Sequence, residues 1–261
     1  MFQSFYESPL QHPWLLLVAP SLFLTMLIYQ CIVCQKTGPR SSAADDNADL
    51  GRSSHGNDTK TTAPLQTRFT ALIAAFLCLT ILDPLLTGPL ISVFSVPEWA
   101  AKAIAIGFVI LGDFRWFFFF ELFANQELDR ATISRQALAR AIGFSFLVPV
   151  SQAIVLRIWP TVFENPRFVF LAYELLFVGL LLAFLKLYLP KFPAQKRAFN
   201  RGLLLYALSY YGLWVTADII ILMGKDAGYL LRVLPNQLYY SFFLPFVWWN
   251  AAKMNSRVRQ K

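Results

Sequence analysis

Seven runs of about twenty apolar residues follow one another along this chain, and a run of that length is what an α-helix needs to cross a hydrocarbon layer of about 30 Å. They cover about Trp14 to Cys34, Phe69 to Phe94, Ala103 to Ala124, Leu138 to Trp159, Phe168 to Leu189, Gly202 to Met223 and Val233 to Asn250. The runs are long and lack the short alternation of barrel strands, so helices are the spanning form. The second run is interrupted by Asp83-Pro84 and Gly88-Pro89, and its prolines could split it into a helix and a re-entrant turn. Composition agrees: only 15% of the 261 residues are charged, against roughly 25% in soluble domains, and 25 phenylalanines add bulk that a soluble fold of this size would not hide. A soluble enzyme, a disordered chain and a disulfide scaffold are excluded. The expected fold is all-α: a polytopic membrane protein with seven transmembrane helices in one bundle.

Basic residues orient the bundle. The segments after the first, third and fifth runs and the C-terminal tail carry sixteen: Lys36, Arg40, Arg52, Lys60, Arg68, Arg130, Arg135, Arg140, Lys191, Lys196, Arg197, Arg201, Lys253, Arg257, Arg259 and Lys261. The opposite side carries four, Lys102, Arg167, Lys225 and Arg232. Lys and Arg are retained beside the cytoplasmic leaflet, so the N-terminus is expected outside and the C-terminus in the cytoplasm. The first run follows a tail without Lys or Arg and without an obvious cleavage site, which reads as a retained span. Trp14, Trp99 and Trp159 fall at expected outer ends, and Trp248 and Trp249 at an inner end, as in an aromatic belt. The net charge of +8 therefore reflects a membrane surface, and no nucleic-acid partner is expected. Plasma membrane is the expected location, with a bacterial inner membrane as the working assignment.

The expected organisation is an extracytoplasmic tail (1–13), a first span (14–34), a flexible cytoplasmic loop (35–67), a six-helix membrane region (68–250) and a basic cytoplasmic tail (251–261). The loop is rich in small polar residues and too poor in large apolar ones to fold alone. It reads as a tolerated insertion or, alternatively, as a docking segment. Its Asn57-Asp58-Thr59 acceptor should stay unmodified on the inner side.

Ionisable groups are costly in hydrocarbon and are the first place to look for function. At about 1.5 Å per residue, Asp113 and Arg115 fall near mid-bilayer, while Asp83, Glu174, Asp218 and Arg157 lie from there outward. Glu121 and Lys186 come out near the inner edge, where they would reach water by snorkelling. Four acids then face two bases, so two carboxylates are expected to lack a basic partner within the spans. We infer an outward-facing polar cavity with Asp83, Asp113, Arg115, Glu174, Asp218, Tyr211 and Asn236 as candidate ligand-binding residues; Tyr173, Tyr210 and Gln237 lie at the same level. Asp113 and Arg115 are two positions apart, some 200° around a helix, so each needs a partner on a different neighbour. Structural pairing between helices accounts for them as well as ligand contact does, and Asp83 before proline equally suits a helix break. Ala103/Gly107, Ala139/Gly143 and Ala71/Ala75 have the spacing of close helix contacts. Pro20, Pro149 and Pro245 lie inside spans and predict kinks.

No catalytic motif is complete. Both histidines, His12 and His55, lie outside the spans, which removes histidine-ligated haem, di-iron and zinc-protease chemistry from the bilayer. Gly143-Phe144-Ser145 lacks the second glycine of a nucleophile elbow and any intramembrane histidine. Gly112-Asp113 and Asp218 supply two aspartates, but Ile110 stands where an aspartyl intramembrane protease has its first glycine. One CxxC, Cys31 and Cys34, is a weak metal signal without a second pair, and with Cys78 the three cysteines lie in or beside apolar runs. The span count and orientation resemble those of rhodopsins and serpentine receptors, but Val233 to Asn250 contains no lysine for a retinal Schiff base and no motif supports membership. Two functions are carried forward. One is a receptor-like or accessory protein that binds a small ligand or a membrane partner subunit. The other is a proton- or cation-coupled small-solute permease. Neither cofactor nor ligand is specified.

Overall fold

The computed structural model describes residues 2–8, 11–37, 62–124 and 135–259. Among them the chain is all-helical, with no strand. A short α1 (Phe2–Tyr6) precedes α2 (Gln11–Thr37) and α3 (Thr62–Leu86); a turn leads to a short α4 (Pro89–Val93). Then come α5 (Glu98–Ala124), α6 (Arg135–Ile158), α7 (Pro166–Ala183), α8 (Ala194–Leu222), α9 (Ala227–Asn236) and α10 (Phe243–Arg259). Five helices are long and apolar enough to cross a membrane: Phe69–Leu86, Glu98–Ala124, Arg135–Ile158, Arg167–Lys191 and Lys196–Leu222. A shorter apolar segment covers Trp14–Tyr29. The 35–67 loop falls mostly outside the described residues, with its Asn57 acceptor, as do the side chains of Cys31 and Cys34.

Successive helices pack as neighbours in a ring. α2 lies on α3, α5 on α6, α6 on α7, α7 on α8 and α8 on α9, and α2 returns to the segment between α9 and α10. α5 also reaches α8, which puts it in the middle of the bundle. The sequence of α5 explains this. From Arg115 to Ala124 every residue is buried, including the run Trp116-Phe117-Phe118-Phe119-Phe120. A helix apolar on all sides has to be enclosed by others. Its rings pack against those of the helices around it, Phe117 on Phe177 at 5.8 Å and Phe123 on Phe199 at 3.8 Å, while Trp116 stacks on Phe120 one turn along α5 at 5.4 Å. Such pairs add about 0.5–1.5 kcal/mol each beyond area burial.

Of the two interruptions in the second run, only the one at Gly88-Pro89 ends a helix. α3 runs through Pro84 and stops at Leu86, so the break falls at Thr87-Gly88 and not at Asp83-Pro84. α9 and α10 form one continuous rod through a wide π-helical turn, Gln237–Phe242, bracketed by Pro235 and Pro245. A second π-turn, Phe184–Tyr188, ends α7 just before Pro190. Proline lacks the N–H that would bond the carbonyl four residues back, so the preceding backbone widens and re-aims its carbonyls.

The small-residue pairs are also corrected. Ala71, Ala75, Ala103, Gly107, Ala139 and Gly143 are all exposed, and a Cβ on Gly107 or Gly143 would meet nothing within 4 Å. The close approaches occur elsewhere. A Cβ on Gly112 would collide with the Tyr239 hydroxyl and come 2.9 Å from its Cζ. One on Gly228 would lie 2.6 Å from Ile221 Cγ1 and 2.7 Å from the Ala217 carbonyl oxygen, where α9 folds back on α8.

Gly112→Ala is therefore expected to cost about 1–3 kcal/mol through overpacking, while Gly143→Ala should change stability by about 0.5 kcal/mol or less. Thermal unfolding of the two variants in detergent checks the contrast.

Candidate functional site

α5 carries three ionisable side chains into the bundle, and each faces a different neighbour. Asp113 is buried and accepts from two phenols: Tyr173 of α7 bonds Oδ2, and Tyr211 of α8 bonds Oδ1 at 3.2 Å. No basic group lies within ion-pair distance of it among the described residues. Tyr211 is held by stacking on Phe177 at 4.1 Å.

Arg115 points to the other side, as two positions on a helix require. Its guanidinium, in a side chain only 4% exposed, donates to Thr80 of α3 and to the Tyr239 carbonyl oxygen at 3.0 Å. It also sits over the rings of Tyr239 and Phe243, at 4.6 and 4.8 Å. Nε has no partner, and no carboxylate lies within ion-pair distance among the described residues. The acceptor carbonyl belongs to the π-turn, whose Leu238 carbonyl oxygen likewise accepts from Tyr206 at 2.7 Å. Two unusual backbone groups are thus used to hold polar side chains in place.

Glu121, expected to reach water, is only 1% exposed. It accepts from Arg140 of α6 at 2.8 Å and from Tyr188 at 3.1 Å. Hydration at the inner edge is replaced by an ion pair between helices. Lys186 is exposed.

A separate cluster joins α7, α8 and α9. Arg232 donates to Asp218 and lies 3.5 Å from Glu174 Oε1; Arg167 lies 3.8 Å from the same Asp218 oxygen. Both arginines lie outside the apolar runs; among the described residues, Asp83 and Asp113 are the two acids of the four left without an ion pair, while Glu174 and Asp218 are paired by these arginines. Two of their oxygens, Glu174 Oε2 and Asp218 Oδ2, remain buried without a partner. The N-terminal helix roofs the cluster. Tyr6 accepts from Arg232 Nε at 3.0 Å and from Asn236 Nδ2 at 3.2 Å, and Asn236 Oδ1 accepts from Trp214 at 2.8 Å. Glu7 lies 3.6 Å from Arg167.

α1 is tied down by Asp226, in the turn between α8 and α9. Its carboxylate accepts from the backbone amides of Gln3 at 2.9 Å and Phe2 at 3.1 Å. These are open donors at a helix start, where an anion is favoured. The Gln3 amide in particular holds the Asp226 carboxyl below its ordinary 3.8.

Of the seven candidate residues, the structure brings only Asp83 and Arg115 to one opening. This cleft lies between α3 and α5, lined by Phe76, Leu79, Phe108, Leu111, Gly112, Thr80, Asp83, Arg115, Tyr239 and Tyr240, with about 20 Å³ of space for water. Asp83 accepts from the Thr87 hydroxyl at 3.4 Å, and Tyr240 lines the cleft beside it. Asp113 and Tyr211 lie behind, on the α7–α8 side. Glu174, Asp218 and Asn236 belong to the roofed cluster. Tyr211, Trp214 and Tyr239 form an aromatic partition between the two groups, with Trp214 5.3 Å from Tyr211 and 5.4 Å from Tyr239. The sequence reading missed Arg167, Arg232, Tyr6 and Gly112. Only the apolar stretch beside Arg232 could have signalled a buried arginine; Tyr6 carries no pattern. Among the described residues no group of three or more His, Cys, Asp or Glu is placed to hold a metal.

No protein-family model matches the chain, and neither a curated protein nor a solved structure shows significant similarity to it. The function is therefore argued from the site alone.

Replacing Arg232 by Met should cost about 3–5 kcal/mol, because Asp218 and Glu174 are left buried and uncompensated. The triple change with Asp218→Asn and Glu174→Gln should recover most of the loss, read by thermal unfolding. The Asp226 contact has a defined pH window. A depressed carboxyl contributes fully above its unfolded value of 3.8 and loses its contribution as pH falls through the lower folded value. Exchange protection of the Phe2 and Gln3 amides should accordingly decline in that acid range, and be lower at neutral pH in Asp226→Asn.

Proposed function

We propose that the chain crosses the membrane seven times, with its N-terminus outside, and binds a small ligand through the Asp83–Arg115 cleft in a receptor-like or accessory role. The first span extends α2, and the seventh is the α9–α10 rod; both are helical over a sufficient length. Supporting the orientation, two of the four basic residues on the expected outer side, Arg167 and Arg232, are engaged in the ion-pair cluster. The loop charge bias is thereby sharpened.

The observation that carries the binding reading is Arg115. A buried guanidinium with only neutral partners and an unpaired Nε costs free energy that a ligand acceptor would offset. A membrane partner subunit supplying a polar group to the same cleft is the variant of this reading. Asp113 favours a second reading, a proton- or cation-coupled permease. Its carboxyl rests on two phenols with no basic side chain in ion-pair range, the kind of intramembrane acid that exchanges a proton or cation.

A thermal-shift screen of metabolites and lipids separates the two. A binder present at a hundredfold over its Kd should stabilise the protein by about 2.7 kcal/mol, and the effect should vanish in Arg115→Leu without any flux. A permease should instead show uptake into proteoliposomes that depends on a pH gradient and falls in Asp113→Asn. Uptake unchanged by that substitution rules the permease out.

A further inference from the structure

We propose that the α3–α5 cleft is a bilayer-facing site for an amphiphile whose polar end is a single hydroxyl group, a sterol or a long-chain alcohol by class. The inference rests on the reading that this cleft binds a ligand, and it names the ligand's chemistry.

Position comes first. α2 covers the far side of α3, and α6 covers the far side of α5. Exposed apolar residues on both helices beside the cleft, Leu82 of α3 and Val109 of α5, put its mouth toward lipid. The walls are apolar, Phe76, Leu79, Phe108 and Leu111. A polar solute would have to cross hydrocarbon to reach this mouth, whereas an amphiphile is already dissolved there.

The floor decides the head group. It offers a donor without a partner, Arg115 Nε, with the Tyr239 hydroxyl beside it, and an acceptor, the Asp83 carboxyl. A hydroxyl both accepts and donates, so it can satisfy both kinds of group. The free space of about 20 Å³ fits about one oxygen atom. A carboxylate or phosphate needs more room and would set a second acid against Asp83. Gly112 keeps this geometry, since any side chain there would displace Tyr239.

The body of the molecule has a place as well. On the other flank of α5 lies an apolar groove of about 180 Å³, lined by Gly107, Ile110, Leu111, Phe114, Ile142, Ser145 and Phe146. Leu111 lines both hollows. Ser145 adds no free donor, because its hydroxyl bonds the Ala141 carbonyl oxygen at 2.6 Å. A chain or ring system can therefore lie across α5 with its hydroxyl in the cleft.

The test uses the full chain in lipid nanodiscs. It is exposed to three photoreactive probes carrying a diazirine in the apolar part: a long-chain alcohol, the fatty acid of equal length, and a sterol. Saturable labelling of α3 and α5 peptides by the alcohol or the sterol is expected, and which of the two labels identifies the source. The acid should label about tenfold less, the equivalent of one lost hydrogen bond to a charged group. Leu111→Trp, a change at the lipid-facing mouth that leaves the polar floor intact, should reduce labelling by a similar factor while the unfolding temperature is kept. Asp83→Leu should do so as well. Equal labelling by alcohol and acid, or labelling insensitive to Leu111→Trp, overturns the proposal. If labelling fails while a polar metabolite still stabilises the protein through Arg115, the amphiphile is wrong and the ligand site stands. If both fail, the site falls with it.

Discussion

Hydrocarbon offers no hydrogen bonds, so each polar group carried into it must find its partner inside the protein. The bundle is organised by how α5 meets that demand. Asp113, Arg115 and Glu121 lie on one helix but look in different directions. Asp113 is answered by α7 and α8, Arg115 by α3 and the α9–α10 rod, and Glu121 by α6 and the turn after α7. Apolar packing alone would tolerate rotation or sliding of smooth helices. Three polar anchors on the central helix fix the register of most of the others, and the aromatic run between Arg115 and Glu121 fills the space they define.

Much of this was legible in the sequence, because lipid imposes simple rules. Length and apolarity mark helices, and the two-residue spacing of Asp113 and Arg115 sends them to opposite neighbours. What could not be read follows from the same physics. Arg232 sits in a segment that looks like a loop boundary, and its burial depends on Asp218 and Glu174, distant in sequence. Glu121 looked close enough to water to be solvated, but Arg140 from the next helix reaches it first. The small-residue pairs follow a spacing that is common by chance and face outward. Gly112 matters because of one ring 127 positions further on. Seven candidates fell into three sets because the placing of Tyr211, Trp214 and Tyr239 in the interior depends on side-chain directions that periodicity does not give.

The two π-turns show how the chain makes polar chemistry from an apolar alphabet. Placing prolines beside them widens the helix locally and presents carbonyls sideways. The Leu238 and Tyr239 carbonyls thereby serve as acceptors for Tyr206 and Arg115 without the cost of a further charged side chain in the bilayer. Main-chain groups also take part at the other end of the molecule, where Asp226 receives the first amides of α1.

That last contact has a temporal consequence. Tyr6 and Glu7 are synthesised well before their partners Arg167, Arg232 and Asn236, as Phe2 and Gln3 are before Asp226. During biogenesis α1 therefore waits undocked while α2 to α8 are made. Asp218, for its part, stays short of its closest counter-charge until α9 arrives. Completion of the roof thus reports that the α8–α9 hairpin has formed. A chain truncated before it would leave an acid buried with an unfilled partner position, a defect that membrane quality-control machinery is well suited to detect.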